Sequence, residues 1–116
     1  MNIRICYSEP PAPVQLRHNP YKIVRIIELM DLYTINPTQI VMYTTEYCSD
    51  CNRAKAFFEA NDVPYLRVGL EGNAEATDFV MNINQGYQSV PTIVFPDGSI
   101  LVEPNWEQLR AKLSNL

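Results

Sequence analysis

Cys48 and Cys51 stand two residues apart in the stretch MYTTEYCSDCNRAKAFF, residues 42–58. A pair at that spacing suits three chemistries: half of a metal site, a structural staple, or a reactive dithiol. A structural zinc site takes four ligands. The remaining cysteine, Cys6, and the sole histidine, His18, both fall in the distant N-terminal arm, which argues against zinc held within one chain. A metal or iron–sulfur cluster bridged by the pair between two chains stays open. A disulfide closing so short a loop removes little chain entropy, which weakens the staple. For the reactive reading, the thiolate is the species that attacks. Cys48 falls between an apolar run and an amphipathic one, at the start of a helix. There the unpaired backbone N–H groups and the helix dipole favour negative charge. Cys51 follows one turn later on the same face, placed to attack a mixed disulfide held on Cys48 and to be the more buried of the two. Glu46 and Asp50 oppose a thiolate on Cys48, whereas the helix terminus, Arg53 and Lys55 favour it, so its activation is expected to be restrained.

The elements that must position this pair can be read from periodicity. QIVMYTT, residues 39–45, is a short β-rich run that reads as a buried strand. A helix over about 49–60 places Cys51, Ala54, Phe57 and Phe58 on one side. PYLRVGL, 64–70, is a second strand. Ala76, Phe79, Val80 and Ile83 then recur at helical spacing, and Gly86 sits where a left-handed C-cap residue belongs. TIVF, 92–95, and SILVE, joined by the turn signal PDG, form a hairpin. Asn105 with Gln108 makes a capping box for a last helix lined by Trp106, Leu109 and Leu113. The order is β-α-β-α-β-β-α over 39–116: an α/β domain with a mixed four-stranded sheet and helices on both faces.

Residues 1–38 are expected as an N-terminal extension. Pro10, Pro11, Pro13 and Pro20 make its first part irregular or extended. Asn19-Pro20 then reads as an N-cap with proline at the first helical position, starting a helix over about 21–33 that docks on the domain or on a second copy. Cys6 has no assigned role.

Composition bounds the function. The 116 residues suit one domain, and 47% hydrophobic with 19% charged residues is ordinary globular usage. A net charge of −4 disfavours nucleic acid as a partner. No apolar run approaches the roughly 20 residues that cross a bilayer, and the first residues lack the apolar centre of a secretory signal. Three cysteines with one close pair suit a reducing compartment, so the chain is expected in the cytoplasm.

With YTTEYCSDC upstream, SVPT at 89–92 and DGS at 97–99, the chain resembles the glutaredoxin family of the thioredoxin fold over roughly 39–115, nearest its mycoredoxin-like members and small redoxins. The resemblance implies a thiol–disulfide oxidoreductase with Cys48 as nucleophile and Cys51 as resolving thiol. It implies a cis-proline at Pro91 facing them, and a substrate surface of Tyr47, Val90, Pro91 and Thr92. No metal and no tightly bound cofactor are implied. The reductant would be a low-molecular-weight thiol, glutathione or mycothiol, or an enzyme of the thioredoxin-reductase type. The partners would be disulfide-containing proteins or mixed disulfides. This chain departs from glutathione-using relatives at Thr44, Thr45, Glu46, Asp50 and the segment VEPNWEQ, where those carry a lysine, a tyrosine and a glycine-rich turn. An interaction module that keeps the fold without turnover is the remaining alternative.

Overall fold

The structure, a computed structural model, describes residues 2–5 and 30–115. Cys6, His18, the prolines at 10–20 and most of the helix expected over 21–33 lie outside the described residues. Within them, Asp31–Tyr33 form a turn.

The strands are β1 (Asn2–Ile5), β2 (Val41–Thr44), β3 (Leu66–Gly69), β4 (Thr92–Val94) and β5 (Ile100–Val102). The helices are α1 (Ser49–Ala60), α2 (Ala74–Ile83) and α3 (Trp106–Ser114). The sheet order is β1-β3-β2-β4-β5, with β2 and β3 parallel and every other pairing antiparallel. The four expected strands, the order β-α-β-α-β-β-α and the closing hairpin are all present. The addition is β1, which pairs with β3 in the register Asn2↔Gly69 to Ile5↔Leu66. The alternation of Ile3 and Ile5 with Asn2 and Arg4 suits a strand, but four residues ahead of a proline-rich run do not say which partner they take; the open side of β3 supplies it.

Alternation along the strands divides the core in two, as period-two side-chain geometry requires. Val41, Tyr43, Leu66, Val68 and Val94 meet Ala76 and Val80 of α2 on one face, joined by Leu32. Met42, Ile93 and Phe95 meet Ala54, Phe57 and Phe58 of α1 and Leu109 of α3 on the other. Trp106 ties the two helices of that second face together. Its indole N–H donates to the Arg53 carbonyl at 3.0 Å, and its ring meets Phe57 edge-on at 5.4 Å. The capping box of α3 is formed as expected: Asn105 accepts from the Gln108 N–H and Gln108 from the Asn105 N–H, each at 2.8 Å.

Three local features were not legible beforehand. Asp31 is buried and accepts from the Thr38 N–H at 2.6 Å, the Thr38 hydroxyl at 2.7 Å and the Gln39 amide at 3.1 Å. Those donors close the loop that leads into β2. At the end of α2 the first left-handed residue is Gln85, at φ 58°, with Gly86 following at φ 96° and donating its N–H to the Met81 carbonyl. The glycine therefore occupies the second position past the cap rather than the first. After β5, Glu103 turns at φ 50° and donates its N–H to the Pro91 carbonyl at 2.9 Å.

The β4–β5 turn is closed by Asp97, which accepts from the Ser99 N–H and hydroxyl and pairs with Lys112 of α3. Lys112, then Ser99, hold the Asp97 carboxyl well below the ordinary carboxylate range. A depressed carboxyl contributes stability above its unfolded pKa of about 3.9 and loses it as pH falls through the folded value. Asp97→Asn is therefore expected to be less stable than the parent near neutrality, with the difference vanishing in strong acid. Urea midpoints at the two conditions check this.

Candidate active site

The Cys48 site is built at the C-terminal end of β2, where the chain leaves the parallel pairing and enters α1. Cys48 is the N-cap of that helix, with an extended backbone at φ −142° and ψ 107°, and its sulfur accepts the Cys51 N–H at 3.0 Å. An N-cap acceptor satisfies one of the donors that a helix start leaves unpaired. Sulfur here takes the place usually filled by a serine or aspartate oxygen. The same N–H that caps the helix is thus aimed at the atom that would carry a thiolate charge.

Cys48 and Cys51 are joined as a disulfide across Cα atoms 5.2 Å apart. Cys48 is half-buried, whereas Cys51 is fully buried among the residues of α1 that face the sheet. The two sulfurs are therefore unequal: only Cys48 is open to a partner.

The second wall is the loop from α2 to β4. The Val90–Pro91 peptide bond is cis, and the Val90 carbonyl oxygen lies 3.8 Å from Cys48 Sγ. Pro91 is buried behind it. Thr92, placed with the substrate surface by the resemblance, has a buried hydroxyl engaged within the fold. It donates to the Ser89 carbonyl at 2.7 Å and accepts from the Asn84 amide at 2.9 Å. Its side chain thus braces the 84–91 loop, and the group of this loop set against Cys48 is the Val90 carbonyl. Asn84 and Ser89 are the partners missing from the sequence reading, and their spacing carried no signal for it. Tyr47 is 96% exposed, projecting beside Cys48 with nothing packed over it. The structure therefore brings Cys48, Cys51 and Val90–Pro91 together, leaves Tyr47 at the rim, and sets the Thr92 side chain behind.

Charges of both signs flank the pair in sequence: Glu46, Asp50, Arg53 and Lys55. Asp50 in the first turn of α1 pairs with Arg53 at 3.0 Å. Glu46 precedes the pair, and its N–H donates to the Glu71 carboxylate at 2.6 Å. That hydrogen bond is the largest cause holding the Glu71 carboxyl below its ordinary value. On the α2 face of the sheet, the Tyr43 hydroxyl accepts the Tyr33 N–H at 3.0 Å, and burial pushes its pKa far above the usual phenol range, so it stays neutral. Among the described residues no cluster of three or more His, Cys, Asp and Glu side chains could hold a metal ion, and no helix is long and apolar enough to cross a membrane.

The family profile described as glutaredoxin matches residues 40–100. A provisionally named glutaredoxin of Mycobacterium tuberculosis is 40% identical over 74 residues, covering 64% of this chain and 88% of that one. Mycoredoxin 1 of Corynebacterium glutamicum is 24% identical over 79 residues, covering 68% and 98%. Among solved structures, oxidized glutaredoxin 2 from Chlamydomonas reinhardtii overlaps with a TM-score of 0.49 at 23% identity, covering 79% of this chain and 85% of that one.

Proposed function

The chain belongs to the glutaredoxin family, and from that premise we propose that it is a dithiol thiol–disulfide oxidoreductase with Cys48 as nucleophile and Cys51 as resolving thiol. The observation that carries this is the inequality of the two sulfurs. Cys48 is the accessible one and accepts the Cys51 N–H, while Cys51 is buried within bonding reach of it.

In the reducing direction, the Cys48 thiolate attacks one sulfur of a target disulfide. The target's S–S bond breaks, a mixed disulfide forms on Cys48, and the leaving sulfur departs as a thiolate that takes a proton from water. The Cys51 thiolate then attacks Cys48 Sγ, releasing the second target sulfur and closing the Cys48–Cys51 disulfide. Two electrons have passed to the target, and two thiols from an external donor are needed to restore the pair. The Cys51 N–H favours the charged sulfur in the first step, and the burial of Cys51 keeps other disulfides from reaching it. The substrate surface is Tyr47 at the rim with the backbone of Val90, Pro91 and Thr92. An extended chain carrying the target sulfur would pair there.

The substrates on this reading are protein disulfides or mixed disulfides with a low-molecular-weight thiol. The donor is such a thiol or a reductase enzyme, in a reducing, cytoplasmic setting that suits the cysteine usage. No resident cofactor is required, because the two thiols carry both electrons. On this reading residues 39–116 carry the redox domain's motifs, and 1–38 are an extension that adds β1 to the edge of its sheet and Leu32 to its core. The test is capture: Cys51→Ser cannot resolve the intermediate, so it is expected to accumulate a covalent mixed disulfide with an offered disulfide peptide, released by dithiothreitol. Absence of any adduct on Cys48 would overturn the proposal.

A further inference from the structure

The loop that presents Cys48 spans Thr45–Tyr47, between the end of β2 and the N-cap of α1. Its first anchor is ordinary sheet pairing: the Leu70 N–H donates to the Thr44 carbonyl at 2.9 Å. Parallel pairing alternates donors and acceptors along the ladder. With Thr44 set against Gly69, the next bond in the series would run from the Glu46 N–H to the Leu70 carbonyl. That carbonyl is already used by the turn into α2, where it accepts the Asn73 N–H at 3.0 Å and the Thr77 hydroxyl at 3.5 Å. The Glu46 N–H goes instead to the side chain one residue on, the Glu71 carboxylate, at 2.6 Å.

We infer that Glu71 is a positioning residue for the dithiol: its carboxylate stands in for the sheet carbonyl that the α2 turn has taken, and so fixes the loop ahead of Cys48. The inference rests on the oxidoreductase reading above. A second contact supports it from the same strand. Arg67 Nε donates to the Thr44 hydroxyl at 3.3 Å, and the Arg67 charge also favours the ionised form of Glu71. Segment 67–71 thus grips segment 44–46 at three points, by the Arg67 side chain, the Leu70 backbone and the Glu71 side chain. The last of these lies nearest in sequence to Cys48. Without it, Thr44 is the final residue tied to the sheet, and three residues of free chain precede the nucleophile. A catalytic group held loosely loses rate through misorientation even where its chemistry is intact.

The bond and the charge can be separated, because glutamine keeps an acceptor at the same reach and alanine does not. The experiment uses the full-length reduced protein. It follows single-turnover reduction of 2-hydroxyethyl disulfide, a neutral probe, beside NMR-detected exchange of the Glu46 amide proton. Glu71→Ala is expected to slow reduction about tenfold, the equivalent of one hydrogen bond, and to speed Glu46 exchange. Glu71→Gln is expected to stay within about twofold of the parent rate and to keep the amide protected. The inference is overturned if Glu71→Ala reduces the probe at the parent rate, if its Glu46 amide exchanges no faster, or if Glu71→Gln falls as far as Glu71→Ala. A parent protein that reduces no disulfide at all would instead sink the oxidoreductase reading, so the two failures are told apart by the parent rate alone.

Discussion

Cys48→Ser is expected to lower disulfide reduction by on the order of a thousandfold or more, to the background rate of the donor thiol, because it removes the only accessible sulfur of the pair. The fold should survive the change. A serine hydroxyl is a good N-cap, and it can accept the Cys51 N–H that the sulfur accepts now. The loss should therefore appear at full folded content by circular dichroism. The informative contrast is with Cys51→Ser, in which the accessible thiol remains and the first half-reaction proceeds. If Cys48→Ser retained its rate with protein disulfides, Cys51 would have to be the attacking group, against its complete burial. A binding module that has kept the fold without turnover would show a third pattern, with target retained and no reduction before or after the change.

The second large effect is on stability. Phe58 is fully buried in α1, three residues past Lys55 and seven past Cys51, with its ring 5.0 Å from Tyr65 and 6.1 Å from Phe57. Phe58→Ala is expected to cost about 3–5 kcal/mol, the range for emptying an aromatic site in a packed core. That is a large fraction of the roughly 5–15 kcal/mol available to a domain of this size. A large drop in the urea midpoint with little change in slope would show it. A shift under about 1 kcal/mol would mean that α1 and α3 close over the gap, which the Trp106–Arg53 bond and the Trp106–Phe57 contact are placed to resist. The dithiol is carried on the first turn of this helix, so the anchoring of α1 at Phe57 and Phe58 also keeps the two cysteines against Val90.

What could be read beforehand was what is local. The start of α1 is marked by Cys48 and the run behind it, and α3 by the Asn105–Gln108 box; the helices begin where those residues place them. The dithiol and the proline that faces it were legible as short motifs. The parts that were not legible depend on pairing across the sequence. Strand β1 exists as a partner of residues 66–69, more than sixty positions away. The burial of Asp31 follows from a loop closing on Thr38 and Gln39. Glu71 reads as one more surface acid in LEGN, and only the competition for the Leu70 carbonyl gives it a partner 25 residues earlier. Thr92 could be placed from its motif, but the inward turn of its hydroxyl to Asn84 and Ser89 could not.

One outer strand of the sheet, β5, has only three residues, and its ends are both shut. Before it stands the turn bound by Asp97; after it the chain swings away at Glu103, whose N–H is spent on Pro91, and enters Pro104, which has no N–H to offer. An exposed strand is otherwise a template on which another chain can polymerise. Here a passing chain would find too short a row of free groups to register against. On this flank the fold thereby offers another chain almost nothing to extend.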